Sequence, residues 1–211
     1  MAEIKIVPMS VELAEEVDGV GMLLRIESYG RTCYKSNPNE DDAPLESAIK
    51  FIRMLMKRGH ESVLEHEKVT ARVICDRGVT HEIVRHRIAS YSQESTRYCD
   101  YNNKPMEFIN PQPHITGGPS ISCWMIAMQY AADRYENLRS NGVPPQMARS
   151  VLPNSLKTEI VMTMNLREWR HFFRLRTAKA AHPQMRDVAN ALLKLFKAEI
   201  PAVFEDIEGT E

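Results

Sequence analysis

The sequence predicts an α+β fold: a single domain over residues 1–211 with a mixed sheet flanked by helices. Two segments, from Lys68 and from Leu156, read as strands, the first by alternating apolar and polar residues. Several longer segments repeat apolar residues every three or four positions, the period of a helix with one buried face. No internal repeat, low-complexity tract or linker separates them. With 211 residues, 43% of them hydrophobic, the chain is long enough to bury one sizeable core.

In chain order, Ile4, Ile6 and Val7 open a short strand, and the latter part of Val11 to Tyr29 is helical. Asn37-Pro38-Asn39-Glu40-Asp41-Asp42 is a loop by composition, with Asp42 placed to cap the next helix. That helix carries Leu45, Ala48, Ile49, Ile52, Leu55 and Met56 on one face and stops at Gly59. From Lys68 to Cys75, Val69, Ala71, Val73 and Cys75 form the apolar half of a strand ending at Asp76-Arg77-Gly78. Thr80 is the expected cap of a short helix with Val79 and Val84 as its hydrophobic staple, and Arg85, His86 and Arg87 fall in its last part. A long helix follows from Pro119 to Arg139, with Trp124, Met128, Ala132 and Tyr135 on its core face, ended by Asn141-Gly142. A helical piece from Pro145 to Leu152 closes at Pro153, and Leu156 to Met164 is the second strong strand. Asn165 with Glu168 resembles a capping box opening a helix from Leu166 to Arg176. The last helix runs from Pro183 to Glu199, with Val188, Leu192 and Phe196 inward.

Composition narrows the function classes. No apolar run approaches the ~20 residues needed to cross a bilayer, and the first residues lack the basic-then-apolar layout of a secretory signal, so a cytoplasmic protein away from membranes is expected. Cys33, Cys75, Cys99 and Cys123 form no Cys-x-x-Cys pair and are expected as reduced thiols. A net charge of -1 gives no global attraction to a nucleic-acid polymer, yet arginines crowd at 85, 87, 97, 149, 167, 170, 174 and 176. Local basic charge of this kind suits small phosphorylated ligands.

The stretch from Arg85 to Tyr98 concentrates this chemistry: three arginines, His86, the hydroxyls of Ser90, Ser92, Ser95 and Thr96, and the polar pair Gln93 and Glu94. Guanidinium forks bind phosphate bidentately and stay charged, with hydroxyls as neutral donors around them. The same composition also fits a salt-bridged helix end followed by a polar loop. No Gly-x-Ser-x-Gly elbow surrounds Ser95, so it is expected to be a ligand hydroxyl. Neither His60-Glu61 nor His81-Glu82 continues as His-Glu-x-x-His, and no metal site is expected. His66 and His182 are open between structural and functional roles. Arg170 and Arg174, one helical turn apart, are expected as surface charge, and Trp124 and Trp169 as core.

Arg-His-Arg at 85–87, seven residues, then Ser95 resembles the signature of the flavin-dependent thymidylate synthases (ThyX). Three further segments resemble that family in the same order: Gly59-His60-Glu61-Ser62, Ala148-Arg149-Ser150-Val151-Leu152-Pro153, and Asn165-x-Arg167 through Leu175-Arg176. The resemblance implies a ThyX-like fold and conversion of deoxyuridylate (dUMP) to thymidylate, with methylenetetrahydrofolate as carbon donor, FAD as hydride carrier and NADPH as reductant. It implies FAD contacts at Ser62, Arg85, His86, Arg87, Gln93, Asn165, Leu166, Arg167 and His171, with His60 near the flavin ring and folate. For dUMP it implies Glu82, Ile83, Val84, Arg85, Gln93, Glu94, Ser95, Thr96, Arg97, Arg149 and Arg176. Arg176 is the candidate catalytic residue, because a fixed guanidinium near the pyrimidine N3 and O2 stabilises the charge that makes C5 nucleophilic. A homotetramer with shared sites is also implied.

Four positions depart from the commonest family pattern: Glu82 for glutamine, Ser92 for asparagine, Gln93 for glutamate and His171 for asparagine. A carboxylate at Glu82 repels a phosphate, which weakens its assignment to the nucleotide. Two other classes compete. A nucleotide- or RNA-binding module would stack bases on Tyr91, Tyr98 and Tyr101. A metal-dependent hydrolase of phosphorylated substrates would need bound zinc or manganese.

Overall fold

Period-two burial carries both central strands, and the alternation from Lys68 predicts it for the first of them. The computed structural model describes residues 1–39 and 41–209, so Glu40 of the predicted loop lies outside the described residues. The strands are β1 (Ile4–Val7), β2 (Ser10–Leu13), β3 (Lys68–Asp76), β4 (Ala89–Gln93), β5 (Met106–Ile109) and β6 (Lys157–Asn165). The α-helices are α1 (Gly19–Tyr34), α2 (Pro44–Lys57), α3 (Arg77–Ile83), α4 (Gly118–Ser140), α5 (Pro145–Ala148), α6 (Leu166–Arg176), α7 (Pro183–Glu199) and α8 (Pro201–Phe204). Short 3-10 turns occupy Glu61–His66 and Arg149–Val151. β1 pairs in parallel with β5, Ile4 opposite Met106, and a four-stranded sheet has the order β2-β3-β6-β4. Along β3, Val69, Ala71, Val73 and Cys75 are buried; along β6, Thr158, Ile160, Met162 and Met164 are.

Several boundaries correct the sequence reading. The cap before α2 is Ala43, whose side chain makes no capping bond, with Pro44 in the first turn; Asp42 instead binds Lys50 at 2.8 Å. α3 starts before Thr80 because Asp76 accepts a hydrogen bond from the Val79 amide at 2.7 Å. Thr80 sits inside the helix and donates to the Arg77 carbonyl, and the staple does not form, since Val84 is exposed. Arg85, His86 and Arg87 therefore lie beyond α3, ahead of β4. Strands β2, β4 and β5, the turn Glu61–His66 and helix α8 have no counterpart in the sequence reading.

Contacts divide the chain into two compact units. The first holds Met1–Ser10, Val73–Arg85 and Ser92–Val161; the second holds Val11–Arg72, His86–Tyr91 and the chain from Met162 onward. In the first, α4 turns Met128, Ala132 and Tyr135 onto Ala2, Met106, Phe108 and Leu156, with Trp124 and Leu138 beside them. This is the face that the helical period marks.

In the second unit, α6 buries Trp169, Phe172 and Phe173 against Phe196 of α7 and Phe204 of α8. Trp169 lies 4.6 Å from Phe196 and 5.5 Å from Phe173, ring centre to ring centre, and donates its indole N–H to the Val69 carbonyl at 3.0 Å. Burying each such ring stabilises by about 1.5–3 kcal/mol, and geometric ring pairing adds about 0.5–1.5 kcal/mol. Arg170 is a correction: it is 1% exposed, not a surface charge. Its guanidinium donates to the Val203 carbonyl, to both Asp206 oxygens at 2.7 Å, and to Glu61 at 3.3 Å.

Candidate functional site

Helix α6 of the second unit begins where Asn165 accepts a hydrogen bond from the Glu168 amide at 2.8 Å, so the predicted cap forms. The reciprocal half of a capping box does not. The Glu168 side chain turns inward, and its Oε1 meets Nδ1 of His86 at 2.9 Å. His86 is 3% exposed, and its Nε2 lies 3.1 Å from Nε of Arg176 at the other end of the same helix. A carboxylate only accepts and a guanidinium only donates, so Nδ1 carries the proton and Nε2 is bare. Burial lowers the His86 pKa below its ordinary value; the Glu168 hydrogen bond opposes this and the Arg176 charge adds to it. The neutral imidazole that the bonds require is the form that burial favours.

Around this triad, the His171 ring is 5.4 Å from that of His86, and Phe172 closes another side at 4.9 Å. Tyr91 donates its hydroxyl to the His86 carbonyl at 2.7 Å, and burial pushes its phenol up to about 12. His86, Glu168 and His171 each offer a ligand atom within 4.8 Å of the others, an arrangement a cation could use. This cluster differs from the histidine pairs weighed in the sequence, because Glu168 and His171 come from α6. The Arg176 guanidinium at Nε2 sets a fixed positive charge against a metal there.

Asn165, Arg167, Glu168 and His171 line a cleft of about 450 Å³ with Glu61 and Glu65, in the size range of small-molecule sites. Its cations are partnered: Arg167 meets Glu65 at 2.5 Å and Arg174 meets Glu61 at 3.3 Å. Ser62 is exposed in the turn beside these acids, and His60 Nδ1 hydrogen-bonds with the Tyr34 hydroxyl at 2.9 Å. Arg87 is exposed ahead of β4. The Leu166 side chain is buried, and its amide donates to the Glu67 carbonyl at 3.0 Å. His66 packs against the Tyr29 ring at 5.0 Å.

The first unit holds the remaining predicted residues. Gln93 donates to the hydroxyls of Thr80 and Thr158 at 3.0 and 3.3 Å. Glu94 accepts from Tyr101 at 2.7 Å and from Lys157 at 3.4 Å. Ser95 opens a turn, its Oγ accepting from the Arg97 amide and its carbonyl from the Cys99 amide. Arg97 donates to Gln146 and Arg149 to buried Thr96, each at 3.3 Å. Both guanidiniums are exposed, and among the described residues they bond only neutral oxygens. Ahead of them, Glu82 is half-buried, Ile83 is buried, and Val84 and Arg85 are exposed.

A second cleft, of about 390 Å³, is lined by Ser92, Gln93, Glu94, Glu159 and Val161. Its two carboxylates make it a poor phosphate site, whereas Arg97 and Arg149 offer uncompensated positive charge. Of the three tyrosines that the competing nucleotide- or RNA-binding module would stack bases on, Tyr91 and Tyr101 commit their hydroxyls to His86 and Glu94 and are half-buried. Tyr98 alone of them is exposed, with the Arg97 guanidinium 5.2 Å from its ring. Glu168 escaped the sequence reading because its spacing from Asn165 explained it as a cap. No helix of the described residues is long and apolar enough to cross a membrane.

Residues 20–202 match the Thy1 family model, described as thymidylate synthase complementing protein. A flavin-dependent thymidylate synthase of Geobacter sulfurreducens is 37% identical over 83% of this chain and 78% of its own. Enzymes of the same name from Mycolicibacterium gilvum and Pyrococcus horikoshii are 35% and 33% identical, over 96% and 92% of this chain and 86% and 79% of theirs. Among solved structures, the UMP/dUMP methylase PolB of Streptomyces cacaoi, bound with 5-Br dUMP, matches with a TM-score of 0.76 and 25% identity over 96% of each chain.

Proposed function

The chain belongs to the Thy1 family, and from that premise we propose that it is a flavin-dependent thymidylate synthase that methylates dUMP reductively. In this reading methylenetetrahydrofolate donates the carbon and NADPH is the reductant. The observation that carries it is the match over residues 20–202, which contains all four signature segments. Because the match runs through both compact units, it also supports one family domain over 1–211.

The donor chemistry of the second unit fits a flavin nucleotide. The amide of Asn165, the guanidinium of Arg167 and the imidazole of His171 line one cleft, donors suited to pyrophosphate and ring carbonyl oxygens. Glu65 and Glu61 hold Arg167 and Arg174 in place, so these cations are oriented before a ligand arrives. His60, Ser62, Arg85, His86, Arg87, Gln93 and the Leu166 backbone complete the proposed FAD contacts. Bound FAD supplies a two-electron hydride carrier, and the protein's task is to hold and orient the reactants.

For dUMP, the phosphate falls to Arg97 and Arg149, helped by Arg85 and the Ser95 hydroxyl. A nucleotide phosphate carries nearly two charges at neutral pH, and a guanidinium bonded only to neutral oxygens keeps its full charge to meet them. Glu82, Ile83, Val84, Gln93, Glu94 and Thr96 are proposed to shape the surrounding walls. Arg176 is proposed to stabilise negative charge on the pyrimidine, which raises the nucleophilicity of C5 without an enzyme nucleophile. A cytoplasmic homotetramer completes the proposal, with sites that draw on several subunits and no role for membrane or nucleic-acid polymer.

The test is the visible spectrum of the purified protein with added FAD, followed by NADPH and dUMP under anaerobic conditions. The reading expects a bound-flavin spectrum that bleaches with NADPH, and thymidylate once methylenetetrahydrofolate is supplied. A protein that takes up no flavin and yields no thymidylate would contradict it.

A further inference from the structure

The buried contacts of His86 point past the ligand-directed residues to one that has no assigned role. We propose that Glu168 is a positioning residue: through the His86 imidazole, its carboxylate fixes the orientation of the Arg176 guanidinium. The proposal rests on the reading that Arg176 meets the pyrimidine, but its structural half stands on geometry alone. Glu168 to His86 is 2.9 Å, His86 to Arg176 is 3.1 Å, and the three lie within the second unit. Both ring nitrogens have one-sided partners, so the acceptor on Nδ1 decides which tautomer faces Arg176.

A glutamate serving only as a helix cap would reach back to the Asn165 amide. Glu168 leaves that bond unmade in favour of His86, while its own amide is held by Asn165 Oδ1. The cap thus sets the turn of helix from which the carboxylate reaches inward. Without that carboxylate, the imidazole can place its proton on Nε2, where it confronts the Arg176 N–H instead of accepting from it.

The device is also pH-sensitive. Protonation of His86 at Nε2 removes the acceptor that Arg176 uses. The titratable and charged groups facing the ring are Glu168, His171 and Arg176 from α6, with Tyr91 of β4 at its backbone. Glu168 favours the protonated ring, and its loss moves that protonation to lower pH.

The experiment uses the full chain, FAD-loaded for kinetics, with ¹⁵N NMR of the His86 imidazole as the second readout. Wild-type protein should show Nδ1 protonated and Nε2 bare. Glu168→Gln keeps an acceptor oxygen, so the tautomer persists, while the titration of His86 and the acid limb of kcat/KM for dUMP move to lower pH. Glu168→Leu should populate the other tautomer and lower kcat/KM by roughly 10–100-fold, the size of effect typical when a partner that orients a histidine is removed. A wild-type ¹⁵N pattern or full kcat/KM in Glu168→Leu would overturn the proposal. Should Glu168→Leu not fold, an unshifted His86 titration in Glu168→Gln overturns it instead. If wild-type protein forms no thymidylate, the synthase reading fails while the imidazole spectra still decide whether Glu168 sets the tautomer.

Discussion

Two groups of arginines, one in each unit, are held in opposite ways. In the second unit, Arg167, Arg170 and Arg174 each face a carboxylate: Glu65 for the first, and Glu61 with Asp206 for the other two. In the first unit, Arg97 and Arg149 meet the carbonyl oxygen of Gln146 and the hydroxyl of Thr96. A paired guanidinium is locally neutralised and serves position and stability. One with neutral partners is oriented yet keeps its charge for an incoming anion. Burial sets Arg170 apart, at 1% exposed, whereas Arg167 and Arg174 face solvent as Arg97 and Arg149 do.

The largest expected effect is at Arg176, which the bare nitrogen of His86 orients by accepting its Nε–H. Arg176→Ala should lower kcat by roughly 10²–10³-fold, as loss of one donor aimed at developing charge does, measured by single-turnover formation of thymidylate. Arg170→Met probes the buried end of the comparison. Removing it leaves the Val203 carbonyl without this donor and Asp206 with Arg174 alone at 3.5 Å, and thermal unfolding should show a loss of about 3 kcal/mol, the lower end for breaking a buried pair.

Arg149→Met and Arg174→Met sharpen the contrast directly. The first should weaken dUMP binding by roughly 10–100-fold, the worth of a charge-assisted hydrogen bond. The second, already paired at the surface, should change it less than about 5-fold. Isothermal titration of the FAD-loaded protein separates the two. Equal losses would remove the distinction between paired and neutral-partnered arginines. Asn165→Ala should cost about 1 kcal/mol as a lost helix cap, readable as a lower Tm.

Acid should reach the units in different windows. His86 titrates below its ordinary value, so between about 6.5 and that lower value the unfolded chain binds more protons and stability falls as pH drops. In the first unit, Arg139 hydrogen bonds hold the Asp100 carboxyl down to about 2. Its contribution is present above about 3.9 and disappears only as pH falls toward 2. Tm against pH, compared with Asp100→Asn, resolves the two steps.

The sequence made the long elements legible and left the short ones hidden, for physical reasons. β3, α4 and α7 bury one face each, so the apolar period is written in their residues. β4 is Ala-Ser-Tyr-Ser-Gln, with no aliphatic side chain larger than alanine, so its alternation leaves only a faint hydrophobic signal. Caps were half legible. Asn165 was identified, but Asp76 took the role expected of Thr80, because either residue can accept from a nearby amide. The arginines show the limit most clearly. Arg170 and Arg174 look alike at a spacing of four, yet one is core and the other surface, since Asp206 and the Val203 carbonyl arrive from far along the chain. The signature segments mark the residues proposed to meet ligands, and Glu168 between two of them is visible only once His86 is seen against it.

The most direct test of the account compares dUMP with deoxyuridine, which lacks the phosphate, as ligands of the FAD-loaded wild-type protein and of Arg149→Met. The account predicts that wild-type protein binds dUMP far more tightly than deoxyuridine, that added salt narrows the gap, and that most of it disappears in the variant. Equal affinity for the two ligands in wild-type protein, or a gap that Arg149→Met leaves intact, would contradict it.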